Sequence, residues 1–401
     1  MAGTAQKDVV VGLDIGTSGI AVAVLKCGCG AKQEPLGFGY CPSIGVKNGQ
    51  AVDIHDAAAA IKKAVSDARA AAGVPFDSVN IGIDGPELVV RHGREKQVMA
   101  RRRAVDRQDL QNLQHKFSQA VLPADWAIVQ LVNADFRIDG KHTARPLGCR
   151  GRELEMEATA LAVPGSNLET TMLCLHNAGL QAVQSKVGSL ATARAVLAAV
   201  EGQVGVVCVD MGAGMTRAIF INHGTLRYIS VFPVGAGHIT ADLAVGLHTT
   251  LETAEKIKIT YGLGSIDEEV RVPNISGTGC NVVSGKLVHR IIRSRIEEIL
   301  EFVKQFLEHL ELGASLPGGI VITGGGARLR GLLKMARDYW EMPVRRGCNT
   351  LLVESVPEEE AYRYNTAVGL ALREPGQGQV PCGVKRMTEG GLVGRIKSWL
   401  R

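Results

Sequence analysis

No run of about eighteen consecutive apolar residues occurs in the chain, so no segment reads as a membrane-spanning helix. The opening stretch, MAGTAQKDVVVGL, lacks a basic segment followed by a long apolar run, and Ala2 stands where myristoylation needs glycine. The expectation is a cytoplasmic protein without a signal peptide, whose membrane contact is peripheral. The nine cysteines include no CxxC pair, and the lone CxC, Cys27 to Cys29, would need two further ligands from elsewhere to hold zinc. Free thiols of a reducing compartment are the simpler account. An excess of one charge is also lacking: the net +5 is too small to argue for nucleic acid, and none is expected as a partner. The one dense basic run, RHGREKQVMARRR (91–103), reads as a solvated strand edge or loop.

Aromatic residues make up only 4% of the chain, yet 46% is apolar and 48 residues are glycine. That balance fits an α/β chain with many tight turns and excludes a disordered one. VVVGLDIG (9–16) and GIAVAVLK (19–26) read as the two strands of a hairpin. Residues 55–73 read as a helix stopped by Gly73. VNIGID (79–84) and ELVVR (87–91) read as strands, 106–121 as a helix and 127–139 as strand-like, so 79–157 forms a small mixed unit. Residues 166–180 read as a helix capped by Ser166, with Glu169 at capping-box spacing. Residues 240–262 read as one helix and 285–310 as a long amphipathic one.

The beginning is echoed in the middle. VGLDIGTSGIAVAVL and VVCVDMGAGMTRAIF match in register: apolar strand, Asp, one residue, Gly, second strand. This is an internal duplication. Two such turns facing each other make a site for phosphate. The backbone N–H groups of Gly16, Thr17 and Ser18, and of Gly212, Ala213 and Gly214, can cradle its oxygens. Asp14 and Asp210 bring two carboxylates, able to hold Mg²⁺ through its waters. GGIVITGGG (318–326) runs a buried strand into Gly324, Gly325 and Gly326, a flat floor for a purine ring. Glu255 and Lys258, three apart on one helix face, either reach a ribose or pair with each other.

This constellation resembles the actin-like ATPase superfamily. Within it the chain is similar to the FtsA family of bacterial cell-division proteins over nearly its whole length. The similarity is carried by GLDIGTSGIAVAVL, CPSIGVKNGQAVDI, VFPVGAGHITADLAVGL, AEKIKITYG, GIVITGGGARLRGL and NTAVGLAL. The resemblance implies an α/β, actin-like (ribonuclease H-like, duplicated) two-domain fold with an inserted subdomain. It divides the chain into subdomain 1A (8–78 with 158–202 and about 360–373), an inserted 1C (79–157), 2A (203–242 with 315–359) and 2B (243–314). It further implies ATP and Mg as cofactors, self-polymerisation on the membrane, and tethering of the tubulin-like ring protein FtsZ at the division septum. The acidic C-terminal peptide of FtsZ would meet 2B, where Arg290 and Arg295 on HRIIRSRIEEIL are the expected contacts. Other divisome proteins would use the inserted subdomain.

Two departures stand out. Actin-like proteins often carry a phosphate-binding Lys after the first turn, and the nearby position here is Ala21. KVGSLATARAVLAAV (186–200), where many relatives position the attacking water, offers Ser189 and Thr192 but no carboxylate. Weak or no hydrolysis is expected, and no catalytic residue is assigned. Two other readings share the fold. One is a PilM-like adaptor of type IV pilus assembly, which needs no tethered terminal helix. The other is an actin-fold sugar kinase, which needs an acid or base in the cleft, and the sequence offers no evident candidate.

Residues 374–391 are rich in Gly, Pro and polar side chains and read as a flexible linker. After it comes LVGRIKSWLR (392–401). Wound at about 100° per residue, Leu392, Val393, Ile396, Trp399 and Leu400 share an arc of about 120°. Arg395 and Lys397 border that arc and Arg401 faces away, the pattern of an interfacial helix on an anionic membrane surface. The expected location is the cytoplasmic face of the inner membrane.

Overall fold

A computed structural model describes residues 9–27, 33–264, 268–276, 278–310 and 316–373. The expected linker and terminal helix, with Leu392, Val393, Ile396, Trp399 and Leu400, lie outside the described residues.

Val9–Ile15 pairs antiparallel with Gly19–Cys27, Val9 opposite Lys26 and Ile15 opposite Ile20. Gln33–Pro42 joins the second of these strands, antiparallel. On the other side Ser78–Ile83 and Gln181–Val187 add in parallel. The order across the sheet is 181–187, 78–83, 9–15, 19–27, 33–42. The second sheet repeats the pattern: Thr225–Phe232, Thr216–Asn222 and Val206–Met211 are antiparallel, and Ile320–Thr323 and Val344–Arg346 follow in parallel. Strands covered on both faces must be apolar throughout rather than alternating. Ile20 to Leu25 and Val206 to Val209 are accordingly all buried.

Ile54–Ala72 lies on the first sheet, N-capped by Asp53 and closed by Gly73 at φ 66°. Its buried stripe is mostly alanine, which lets the backbones approach closely. A Cβ at Gly39 would stand 2.0 Å from the Ala64 carbonyl oxygen. On the opposite face Asn365–Ala371 packs against Gly188–Val196, where a Cβ at Gly369 would meet the Ala191 carbonyl oxygen at 2.0 Å.

The inserted unit has a four-stranded sheet in the order Val89–Ala104, Arg150–Pro164, Trp126–Ile138, Lys141–Thr143. Arg107–Val121 packs on it, with Asp106 and Asp109 forming a capping box. Ser78–Ile83, most of which the sequence assigns to this unit, is instead a strand of the first sheet. The long strand Arg150–Pro164 serves two cores. Leu154, Met156, Ala158 and Ala160 are buried in the insert, whereas Leu161 and Val163 are buried in the first lobe.

The basic run is the edge strand of that insert sheet, and two of its cations face acids on the neighbouring strand. Arg94 pairs with Glu155 at 2.6 Å and Lys96 with Glu153 at 3.3 Å. Arg103 closes on Asp109, also at 2.6 Å. Charges along an edge also discourage pairing with a foreign strand.

Two helix boundaries differ from expectation. Gly165–Asn177 starts before Ser166, with no side-chain cap, because the Gly165 N–H donates to the Asp125 carbonyl at 2.7 Å. Residues 240–262 form two helices, Ala236–Gly246 and Leu251–Tyr261. The break between them is pinned from outside, Thr249 Oγ1 donating to the Pro273 carbonyl at 2.6 Å. Thr250 then N-caps the second helix. Gly285–His309 is one amphipathic helix burying Val288, Ile292, Ile296, Ile299, Val303 and Phe306.

Candidate functional site

The two hairpin turns close in the same way. Gly16 N–H donates to the Gly19 carbonyl at 3.0 Å, and Gly212 N–H to the Met215 carbonyl at 2.9 Å. Both line a cavity of about 580 Å³ between the lobes. Asp14, Gly16, Thr17, Ser18, Asp210, Gly212, Ala213, Gly214, Glu255, Lys258, Gly324, Gly325 and Gly326 all border it. The residues chosen from sequence for a nucleotide are therefore gathered in one cleft.

The second turn is buttressed from behind. Ala236 N–H and Gly237 N–H, at the start of Ala236–Gly246, each donate at 2.8 Å to the carbonyls of Gly212 and Ala213. A Cβ at Gly235 would lie 2.5 Å from the Gly212 carbonyl oxygen, so only glycine allows this approach. The floor has a similar demand: Gly324 sits at φ 81°, and a Cβ there would stand 2.5 Å from Asp210 Oδ1. Tyr362 lies beside Gly325, and Arg328 stacks over the Tyr362 ring at 4.8 Å. Arg363 stacks over Tyr40 at 4.7 Å.

Of the two roles open to Glu255 and Lys258, the structure shows an ion pair, Nζ to Oε2 at 2.7 Å. Lys258 Nζ also donates to Thr240 Oγ1 at 3.0 Å and to the Ala236 carbonyl at 3.2 Å. Lys258 thus ties Leu251–Tyr261 to the helix behind the second turn, and Glu255 keeps an exposed edge toward the cavity.

Sequence reasoning missed the centre of the cleft. Asp84 ends the strand Ser78–Ile83 and accepts from Ser189 twice, from N–H at 2.9 Å and from Oγ at 3.0 Å. Arg217, on the strand after the second turn, donates from Nη1 to Asp210 Oδ2 at 3.1 Å. Its Nε lies 3.4 Å from Asp84 Oδ2. The cleft therefore does hold a carboxylate beside residues 186–200, supplied by a different strand. A signal existed: IDGP repeats the strand-end acid and glycine of LDIG and VDMG.

Three carboxylates share one guanidinium here. Burial pushes the Asp14 carboxyl up to about 7, Arg217 opposes the shift, and Asp210 and Asp84 add to it. Burial likewise raises Asp84, against Arg217 and the Ser189 hydrogen bond. Burial works against the charge of Arg217, but Asp84, Asp210 and Asp14 outweigh it and hold the guanidinium firmly protonated.

The expected partner contacts lie on Gly285–His309. Arg290 is exposed. Arg295 is engaged within the chain, its Nε and Nη2 donating to Asp242 at 2.7 and 3.0 Å and its Nη1 to Glu298. The described cysteines, Cys27, Cys41, Cys149, Cys174, Cys208, Cys280 and Cys348, are free thiols. No helix among the described residues is long and apolar enough to cross a membrane.

A duplicated sheet with facing turns and a glycine floor defines the actin-like ATPase fold. The PilM–PilN type IV pilus biogenesis complex superposes with a TM-score of 0.64 at 18% identity, over 91% of this chain and 99% of that one. MreB5 of Spiroplasma citri bound to ADP does so with a TM-score of 0.54 at 14% identity, over 90% and 96%. At such identity both show the fold alone. Sequence narrows the class. The chain belongs to the FtsA family of cell-division proteins. The family model for cell division protein FtsA matches residues 207–369, and that for the SHS2 domain inserted in FtsA matches 89–162. FtsA of Neisseria meningitidis is 30% identical over 98% of each chain. FtsA of Streptococcus pneumoniae is 31% identical over 85% of this chain and 76% of its own, and that of Pseudomonas aeruginosa 29% over 93% and 90%.

Proposed function

We propose that the chain binds ATP with Mg²⁺ between its two hairpin turns, polymerises, and tethers FtsZ to the inner face of the cell membrane. One observation carries the nucleotide reading: two Asp-x-Gly turns and a three-glycine floor border a single cavity. Purine lies on Gly324–Gly326, beside Tyr362, and the phosphates lie on the N–H groups of both turns. The acidic cleft suits a divalent ion: burial and the neighbouring acids favour the protonated form of Asp14 and Asp84, and a bound cation would draw these carboxylates back to their charged form. Asp14 and Asp210 would hold Mg²⁺ through its waters, and the ion would shield the phosphate charge.

Slow hydrolysis is supported by what the cleft polar groups already do. Ser189 is bonded to Asp84. Thr192 Oγ1 donates to the Gly188 carbonyl at 3.0 Å and meets Thr366 Oγ1 at 2.7 Å. Neither hydroxyl is free to orient water, and Asp84, the carboxylate beside them, is itself held by two hydrogen bonds from Ser189. The peptide of FtsZ is assigned to the basic face of Gly285–His309, later divisome partners to the inserted unit, and the membrane to 392–401.

The decisive experiment is titration calorimetry of ATP into the full chain and into Gly325→Trp. A Trp side chain on the floor should displace the base and weaken binding about a hundredfold or more, the scale of losing the buried surface of a purine. Unchanged affinity in that variant removes the adenosine assignment.

A further inference from the structure

The duplicated hairpins invite a position-by-position comparison. Asp14 lies directly opposite Ala21 across its hairpin, and Asp210 directly opposite Arg217 across the other. The same place in the two turns holds a methyl group in the first lobe and a guanidinium in the second. Any phosphate-facing cation at this place comes from the second lobe alone.

Among the described residues, four cationic side chains border the cavity. Lys258 is bound to Glu255, Thr240 and the Ala236 carbonyl. Arg328 and Arg363 stack over Tyr362 and Tyr40. Arg217 alone stands between the turns, within 3.1 Å of Asp210 and 3.4 Å of Asp84. Its Nε hydrogen is buried and meets no acceptor at hydrogen-bond geometry. A buried donor without an acceptor costs free energy, and an incoming oxygen would relieve it. The planar guanidinium fork matches phosphate oxygens in a way an ammonium cannot.

We propose that Arg217 grips the terminal phosphate of the nucleoside triphosphate bound between the turns, and so makes the cleft prefer triphosphate over diphosphate. This rests on the nucleotide reading above. Arg217 borders the cavity together with both turns, and its fork lies between Asp210 and Asp84, the place this reading gives the terminal phosphate. On binding, Arg217 exchanges its long contact with Asp84 for phosphate oxygen and stays tethered to Asp210. Asp84 keeps both hydrogen bonds from Ser189, so the exchange leaves neither carboxylate without a donor.

The test is calorimetry of ATP and of ADP into the full chain, as wild type, Arg217→Met and Arg217→Lys. Both variants should lose about tenfold or more in ATP affinity, the scale of one charge-assisted hydrogen bond. ADP affinity should change by less than about twofold, so the preference for ATP collapses. Arg217→Met strips the acids of their counter-ion and can fail to fold. Arg217→Lys keeps the charge and decides the matter in that case. An unchanged ATP-to-ADP ratio in Arg217→Lys, or equal loss of both ligands, overturns the proposal. If wild type binds neither nucleotide, the nucleotide reading itself falls and takes this proposal with it.

Discussion

Arg295 and Asp242 form a two-pronged pair between Gly285–His309 and Ala236–Gly246, with N–O distances of 2.7 and 3.0 Å. The pair staples the long helix to the helix behind the second turn. Arg290, five residues earlier, is exposed. The two arginines therefore answer different questions. Arg295→Glu should lower the melting temperature, with about 1 kcal/mol or more of stability lost, because it sets like charges face to face. Arg290→Glu should leave the melt unchanged. If the FtsZ peptide docks on this face, both should weaken it by more than about 1 kcal/mol. Thermal melts beside a peptide titration separate the effects, and a wild-type dissociation constant in Arg290→Glu would remove that residue from the contact.

Stability should depend on pH in an unusual window. The Asp14 carboxyl is raised from 3.8 to about 7 in the folded protein. Between these values the native state holds a proton that the unfolded chain has released, so stability falls as pH rises through them. Paired carboxylates such as Asp109 and Glu155 are held low and act in the opposite sense, at more acid pH. Without nucleotide, raising the pH from about 4 to 7 should cost on the order of 1–3 kcal/mol from this group. Asp14→Asn should flatten the slope, as read by urea titrations across that range. An equal slope in the variant would assign the effect to other groups.

Gly369 sits in a helix whose neighbour leaves no room for a methyl. With the Ala191 carbonyl oxygen 2.0 Å from its Cβ position, Gly369→Ala must push the helix off its neighbour. Ordinarily Gly to Ala inside a helix stabilises. Here it should cost about 3 kcal/mol or more. Chemical denaturation gives the sign directly.

The membrane assignment of 392–401 predicts weak anchoring by single chains. Five apolar side chains partly buried at an interface contribute on the order of 5–8 kcal/mol gross. Three basic residues add about 1 kcal/mol each near anionic lipid. Folding so short a helix offsets much of this. Polymers present many tails at once, so attachment should tighten on assembly without new contacts. Trp399→Glu should release the protein from anionic vesicles in sedimentation while leaving ATP affinity intact. Co-sedimentation at the wild-type level would rule out the anchor.

What could be read from the one-dimensional chain was whatever local chemistry determines. Aliphatic runs ending in Asp-x-Gly mark both hairpins, because a doubly covered strand and a tight turn each impose their own residues. The residues picked from those turns and from the glycine floor border one cavity for the same reason. Arg217 was illegible because its meaning lies in the strand it crosses to: as text it is one charge in a β-run, and only the fold sets it beside Asp84. The break at 247–250 depends on the Pro273 carbonyl, distant in sequence. Ser166 looks like a cap, but the backbone of Asp125 had already taken the helix start. The strand Ser78–Ile83 was displaced to the wrong unit because pairing partners, unlike strands, carry no local signature.

The strand Arg150–Pro164 passes through the interiors of both the first lobe and the inserted unit. Its 15 residues span about 50 Å at the rise of an extended chain. It is clamped at one end by Leu161 and Val163, and Leu154 and Met156 carry the load at the other. Such a beam works as a pointer on a dial. From Leu161 to Arg150 the arm is about 36 Å, so a tilt of about 5° where it is clamped sweeps its far tip through about 3 Å, near the rise of one residue. A small turn of the first lobe would therefore be written large at the outer rim of the insert.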